Sequence, residues 1–351
     1  MNSGSGLPAV AASTDLGVPG YTFADLHDPE RLASLYERFC EEVEAADAGF
    51  WIQWDAYRQS PDAPRTPLAL SNLLVGMAPY VSRFLTRLFQ VQPDLDVLRR
   101  ATTAQDVLFR FKIDFVRRRA LPLLKGGAHV VSTPEDDLVV KRLAGTSRDS
   151  DLELAIARGG CALMDREKAG DTSDGLKTEI ESLKRWCAAR LHDHAYRPWV
   201  IFRFPETLDY WHLVDVQHPE PALPEALLGP DWRLRLRDGF KLTDGRMNVR
   251  EVLSEIHYCV LCHERDKDSC SKGLFEPGKG PGSEKVGKVA VNPLGIQLDG
   301  CPLNEKISEM HMLRKSGDAL GALALVIIDN PMCPGTGHRI CNDCMKSCIY
   351  Q

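Results

Sequence analysis

The 351-residue chain contains no run of about twenty uninterrupted apolar residues, the length that a membrane-crossing helix needs. Its longest stretch without a charge, Thr66–Ser82, is shorter than that and carries Pro67 and Pro79. The N-terminus lacks the positively charged start and apolar block of a secretory signal. Together these absences predict a cytoplasmic protein with no membrane insertion. A basic excess is also missing: 43 Lys and Arg stand against 49 Asp and Glu, for a net charge of -6 and a pI near 6.0. A nucleic-acid surface needs Lys and Arg to replace phosphate counterions, so no nucleic-acid partner is expected. Residues 251–351 have no basic excess either. No repeat of fixed period is present, and no Ser/His/Asp or Cys/His arrangement marks a nucleophile.

Helical periodicity is abundant. Residues 1–20, rich in Gly, Ser, Ala and Pro, form a disordered lead-in by composition. Asp28-Pro29-Glu30 then supplies a capping side chain, a proline at the first helical position and an acid in the first turn. Leu32, Leu35, Tyr36, Phe39 and Val43 follow at helical spacing. The run from Leu70 to Leu88 keeps that spacing across Pro79, which predicts a core helix kinked or broken there. Further helical stripes follow at Val107–Phe115, Leu152–Ile156 and Leu176–Trp186. Between about Pro198 and Arg237 the texture changes: Trp199–Phe204, Tyr210–Val214 and Trp232–Arg237 predict short strands or extended packing segments.

A turn at Thr243-Asp244-Gly245 precedes the stripe Val249, Val252, Leu253 and Ile256. The expected domain boundary lies near 240, separating a mainly helical domain over 21–240 from a cysteine-rich domain over 241–351. Within the second, 272–300 is rich in Gly and Pro and is expected to be an insertion loop. Leu303–Lys315 and Asp318–Ile328 predict two helices separated by Gly317, and Asn330-Pro331 stops the second.

Eight of the eleven cysteines lie in this last third: Cys259, Cys262, Cys270, Cys301, Cys333, Cys341, Cys344 and Cys348. In a reducing compartment, clustered thiols point to metal or redox chemistry before disulfides. Two thiols separated by two residues can hold one metal from a single turn, a device shared by zinc and iron-sulfur sites. Almost no histidine stands at ligand spacing, so thiolate-only ligation is expected. The pattern Cys259-x2-Cys262-x7-Cys270, the step Cys301-Pro302 and Cys341-x2-Cys344-x3-Cys348 resemble the amino-terminal iron-sulfur domain of the glutamate synthase small subunit and dihydropyrimidine dehydrogenase family. The resemblance covers roughly residues 245–351.

That resemblance implies an α-helical ferredoxin-like domain with two [4Fe-4S] clusters. Cys259, Cys262, Cys270 and Cys341 would hold one cluster. Cys301, Cys344 and Cys348 would hold three corners of the other, with Cys333 or a group beyond Gln351 as the fourth. The implied function is electron transfer within a larger oxidoreductase whose FAD and NAD(P)H domains lie downstream of a truncated end or on a partner subunit. Two departures from the family stand out, the thirty residues between Cys270 and Cys301 and the short gap between Cys341 and Cys344. The rival expectation is a zinc-stabilised interaction module without redox activity.

Other signals are weaker. Gly282-x4-Gly287-Lys288 approaches a phosphate loop but is followed by Val289 rather than Ser or Thr, and Gly278, Gly280 and Gly282 follow no strand. His257 and His263 flank the first cysteine pair and are expected to hydrogen-bond near the thiols or face solvent. His338 and Arg339 suit a loop or a donor pair equally. Arg233, Arg235 and Arg237 suit a solvated strand face. Cys40, Cys161 and Cys187 fall in helical stretches and are expected to be small core residues.

Overall fold

The computed structural model describes residues 15–145, 151–205, 207–214, 216–230, 239, 246–265, 267–276, 287–336, 341 and 343–350. Trp232–Arg237, the Thr243 turn, Gly278–Gly282, most of the near phosphate loop, His338 and Arg339 lie outside the described residues. The chain is mainly helical, 63% by residue. Among the described residues there is no strand; backbone pairing outside helices is confined to isolated bridges. The short strand or extended packing segment expected at Trp199–Phe204 instead contains a 3-10 turn over Val200–Phe202. Its aromatic residues pack as a knot, Trp199 and Phe202 stacked at 6.1 Å and Trp186 6.1 Å from Phe202. Side-chain burial at a turn can imitate the apolar texture of a strand.

The chain forms two compact units, each assembled from separate segments. Unit 1 comprises 1–103, 259–272 and 300–344, and unit 2 comprises 104–258, 273–299 and 345–351.

In unit 1, helix α1 (Pro29–Ala46) starts where its signals lie: the Asp28 carboxylate accepts from the Glu30 and Arg31 amides at 2.9 and 3.2 Å. Leu35, Phe39 and Val43 are buried as expected, while Leu32 and Tyr36 stay exposed. Helix α2 (Ala48–Gln59) follows. Helix α3 (Pro67–Leu88) runs without a break through Pro79, which forfeits the bond that its amide would have made to the Val75 carbonyl. Helix α4 (Gln92–Thr103) completes the N-terminal part. Val18, Phe39, Val43, Met77, Phe84 and Leu88 share one core.

Helices α5 (Asp106–Phe111), α6 (Pro134–Ala144), α7 (Leu152–Lys168), α8 (Asp174–Arg190) and α9 (Val249–Tyr258) belong to unit 2. A π-helical stretch, Lys112–Ala120, continues α5. Phe111, Phe115, Ile156, Leu183, Trp186 and Leu253 meet in its core. Helix α7 can enter that core because Gly159 and Gly160 carry no side chain: a Cβ at 160 would lie 2.2 Å from Phe111 Cε2, and one at 159 would lie 2.7 Å from the Leu143 carbonyl. Described residues of the expected insertion loop pair through their backbones. Leu274 and Ala290 each pair with Leu298 or with one another at 2.8–3.0 Å, and Gly273 at φ 97 makes the close turn against the Leu298 carbonyl.

Back in unit 1, α10 (Ser269–Lys272), α11 (Ile307–Lys315), α12 (Ala319–Asp329) and α13 (Cys333–Thr336) follow, and the chain division after Cys344 falls within α14 (Asp343–Lys346). Helices α11 and α12 form the expected hairpin around Gly317 at φ 89, and the Asp318 carboxylate caps α12 by accepting from the Gly321 amide at 2.8 Å. Leu313, Ala322 and Leu325 pack with Leu74 and Ala78 of α3.

Two expected outcomes follow from unit 2. Gly160→Ala should destabilise by about 1–3 kcal/mol in urea unfolding, because overpacking against the Phe111 ring outweighs the helix preference of alanine. Lys112 gives the second. Its ammonium is 1% exposed, lies over the Tyr258 and Phe204 rings, and donates to Ser254 Oγ and Tyr258 Oη at 3.3 Å each. Burial pushes its pKa down to about 7 from the usual 10.5, against the opposing pull of Glu255 and Glu153. The fold therefore prefers the neutral amine. Stability should rise with pH between about 7 and 10.5, and the charged form should carry a penalty of roughly 3–5 kcal/mol below that window. Lys112→Met should accordingly be more stable than the parent at pH 6, with the gap closing toward pH 10 in the same unfolding assay. A gap that stays constant across that range would contradict the buried-amine account.

Candidate functional site

The cysteines called out by the sequence divide between the units. Cys259, Cys262, Cys270, Cys301, Cys333, Cys341 and Cys344 belong to unit 1, and Cys348 to unit 2. None of the eleven cysteines is in a disulfide. In unit 1 the first pair flanks Leu261, whose φ of 52 turns the backbone between the two thiols. Such a backbone is uncommon for a branched side chain and costs on the order of 1–2 kcal/mol. A 3-10 turn over Cys262–Arg265 follows, and Asp268 at φ 22 leads into α10. The Cys301 amide donates to the Cys270 carbonyl at 2.9 Å, which brings those two segments side by side.

A second grouping forms near α14. Cys344 has its pKa pushed up to about 11, first by burial and then by the negative charges of Cys301, Glu305 and Cys341. Burial also raises Cys333, with Glu305 adding to the effect. Cys341 is exposed and points its thiol to Asp343 Oδ2 at 3.6 Å. Cys259 Sγ faces Ser308 Oγ at 3.9 Å, and Cys262 is buried. Cys40, Cys161 and Cys187 are buried in the cores, as their helical settings predicted.

Sequence reading missed a buried polar set beside the first thiols. Glu309 of α11 is fully buried, and Ser71 of α3 donates to its Oε1 at 2.5 Å. His263 Nδ1 and Ser308 Oγ are 2.7 Å apart, with both residues buried. Ser271 Oγ donates to the Glu305 carbonyl. Asp268 Oδ1, Ser269 Oγ, Glu309 Oε2 and His311 Nδ1 are buried without a hydrogen-bond partner among the described residues. The Asp268 carboxyl is raised above its usual range by burial first and by the Glu309 charge second. Two carboxyls, two imidazoles and hydroxyls closed inside a core offer no route for a substrate. Glu309 and Ser308 sit in a stretch whose periodicity signalled only a helix. The one available signal was charge at inward helical positions. His257, in unit 2, stacks on Phe109 with ring centroids 4.0 Å apart.

Comparison with known proteins places the chain elsewhere than its cysteines did. Residues 16–90 match the RP005 N-terminal alpha-helical domain. The chain is also 26% identical over 304 residues to the uncharacterized protein RP005 of Rickettsia prowazekii (strain Madrid E), covering 81% of this chain and 93% of that protein. No solved structure matches.

These findings correct the resemblance to the glutamate synthase small subunit and dihydropyrimidine dehydrogenase. No iron-sulfur or glutamate synthase relative is found, and the similarity to RP005 runs through most of the chain rather than through the cysteine-rich third alone. Among the described residues, no three His, Cys, Asp or Glu side chains are grouped so as to hold a metal ion. Iron-sulfur ligation, metal binding, the α-helical ferredoxin assignment and the oxidoreductase class that rested on them are therefore withdrawn. The physical reason lies in what spacing can specify. A Cys-x2-Cys step permits two sulfurs to share a centre, whereas ligation needs the side chains to converge. Here the sulfurs differ widely in setting, from buried Cys262 to exposed Cys341.

Thiol reactivity tests the placement directly. At pH 8, a thiol at about 11 is only about a thousandth thiolate, so Cys344 should be alkylated by iodoacetamide at least roughly tenfold more slowly than exposed Cys341. Cys187, buried completely and raised further still, should be the slowest. Peptide mass spectrometry at successive times would read the order, and equal rates at 341 and 344 would refute this arrangement.

Proposed function

We propose that the protein is a helical interaction module that self-associates through the outer face of α12. The observation that carries this reading is the composition of that helix. From Ala319 to Ile328 it has no charged residue, yet only one side is used inside unit 1. Gly321, Ala322, Leu325 and Val326 are buried, while Leu323, Ile327 and Ile328 are exposed at 42, 38 and 57%, with Met332 at 64% just beyond the helix. A helix apolar all round belongs in an interior, and half of this one lies outside the unit's own core.

The same face on a second copy is its natural complement. With no charge to demand an opposite one, Leu323 and Ile327, one turn apart, can pair with themselves about a two-fold axis. Each large side chain buried contributes about 1.5–3 kcal/mol before the cost of association. Four such residues on each copy support a weak, concentration-dependent dimer rather than an obligate one.

Sedimentation equilibrium of the full chain from about 1 to 500 µM should show a monomer-dimer equilibrium in the micromolar range. Ile327→Lys and Leu323→Lys should each shift it toward monomer by at least about tenfold, with unfolding unchanged within about 0.5 kcal/mol because both positions are exposed. A monomer at every concentration, or a dimer indifferent to both substitutions, would overturn the reading.

A further inference from the structure

Two adjoining cavities open on unit 1, of about 560 and 460 Å³, and Arg83, Thr86 and Gln92 line both. The first adds Leu16, Gly17, Arg87 and Gln90, and the second adds Arg99 of α4 and the Ser316–Asp318 turn. The groove is thus built around the C-terminal half of α3, mostly within the segment that matches the RP005 domain. Its wall is fixed by a close backbone approach. The Gly17 amide donates to the Leu88 carbonyl at 2.9 Å, and a Cβ at 17 would fall 1.9 Å from the Arg87 carbonyl.

Three arginines in one groove of a chain with net charge -6 are a local reversal of sign. Their charges are unequally met. Arg87 is held by both oxygens of Glu42 at 2.6 Å. Arg99 reaches Asp96 only at 4.0 Å. Arg83, at the junction of the two cavities, has no carboxylate within ion-pair distance among the described residues and lies 4.7 Å over the Tyr80 ring. A tyrosine ring holds a guanidinium without supplying a counter-ion. The acid in the second cavity, Asp318, is engaged in capping α12.

A role for Arg83 as a cap on α3 is disfavoured, because the last carbonyls of that helix are occupied: Leu85 by the Phe89 amide, Thr86 by Val91, Arg87 by Gln90 and Leu88 by Gly17. Thr86, Gln90 and Gln92 add polar groups to the lining. The volumes suit a small ligand. One uncompensated guanidinium and one loosely held match a phosphate ester, which carries about -1.5 to -2 at neutral pH, better than a single carboxylate.

We infer that this groove binds a phosphate-bearing small molecule, with Arg83 making the central contact to the phosphate and Arg99 supporting it. Calorimetric titration of the full chain with inorganic pyrophosphate and with adenosine diphosphate should give a dissociation constant below about 1 mM. Arg83→Ala should weaken it at least tenfold, and Arg83→Lys, which keeps the charge but loses the fork, should fall between. Arg118→Ala, whose side chain pairs with Asp114 in unit 2, should leave binding unchanged. Circular dichroism of each variant confirms that exposed-site substitutions keep the fold. Co-sedimentation with phosphatidate vesicles separates the two sources of the same chemistry: binding to the soluble probes alone indicates a free phosphate ester, and binding to both indicates a lipid headgroup. Absence of heat with either probe up to about 10 mM, equal affinity in Arg83→Ala, or a preference for citrate over pyrophosphate would each overturn the inference.

Discussion

The guanidinium of Arg250 organises unit 2 from a position late in its sequence. Its Nε donates to Gln105 Oε1 at 2.7 Å, and its two terminal nitrogens donate to Asp151 and to Glu153 Oε2, the latter at 2.9 Å. Glu153, 7% exposed, uses its other oxygen to accept the Ile201 amide at 2.8 Å. One cation therefore links α9, the start of α5, the N-terminus of α7 and the Val200–Phe202 turn. Burial first, and the Asp151 charge in a smaller part, lift the Glu153 pKa, while the Ile201 amide and Arg250 favour its charged form. Removing either partner would leave the other charge buried, which is why such a pair constrains a fold more than its net energy suggests. The aromatic knot around Trp186 packs against the turn that this carboxylate fixes.

Unit 1 solves a related problem with neutral and acidic groups. Ser71 reaches from α3 to Glu309 on α11, and His263 meets Ser308 on the same helix, so the thiol-bearing segments are seated by polar contacts beneath them. Most of these partners are separated by more than forty residues. Helix α12 is seated differently, by Ala322 and Leu325 against Leu74 and Ala78, with its other face left apolar. The arginine groove lies on the same unit but uses the polar side of α3.

Much of the local fold was legible because its determinants are local. Asp28-Pro29 and Gly317-Asp318 mark helix ends through capping bonds that need only a few neighbouring residues. Stripes such as Leu35, Phe39 and Val43 mark a buried face. The Trp199 segment was misread because aromatic residues favour strands and packed turns alike, and only contact with Trp186 distinguishes them. Lys112 gave no sign at all: one lysine among apolar neighbours looks the same whether it reaches water or lies under Tyr258. The cysteine pattern misled for a similar reason. Spacing along a chain describes what neighbouring sulfurs could share, and similarity across 304 residues to RP005 outweighs a motif confined to the last third.

By itself, the sequence determined several of the helices: the start of α1, the buried stripes of α1, α3, α7, α8 and α9, the α11–α12 hairpin and the small buried cysteines. It did so because capping and amphipathicity act within a few residues. Tertiary structure alone decided which segments make up each unit, that Arg250 meets Glu153, that Ser71 meets Glu309, and that Arg83, at the junction of two cavities, has no carboxylate within ion-pair distance among the described residues. Those outcomes depend on contacts between residues tens to hundreds of positions apart, and no local pattern encodes whether a charge will find its partner.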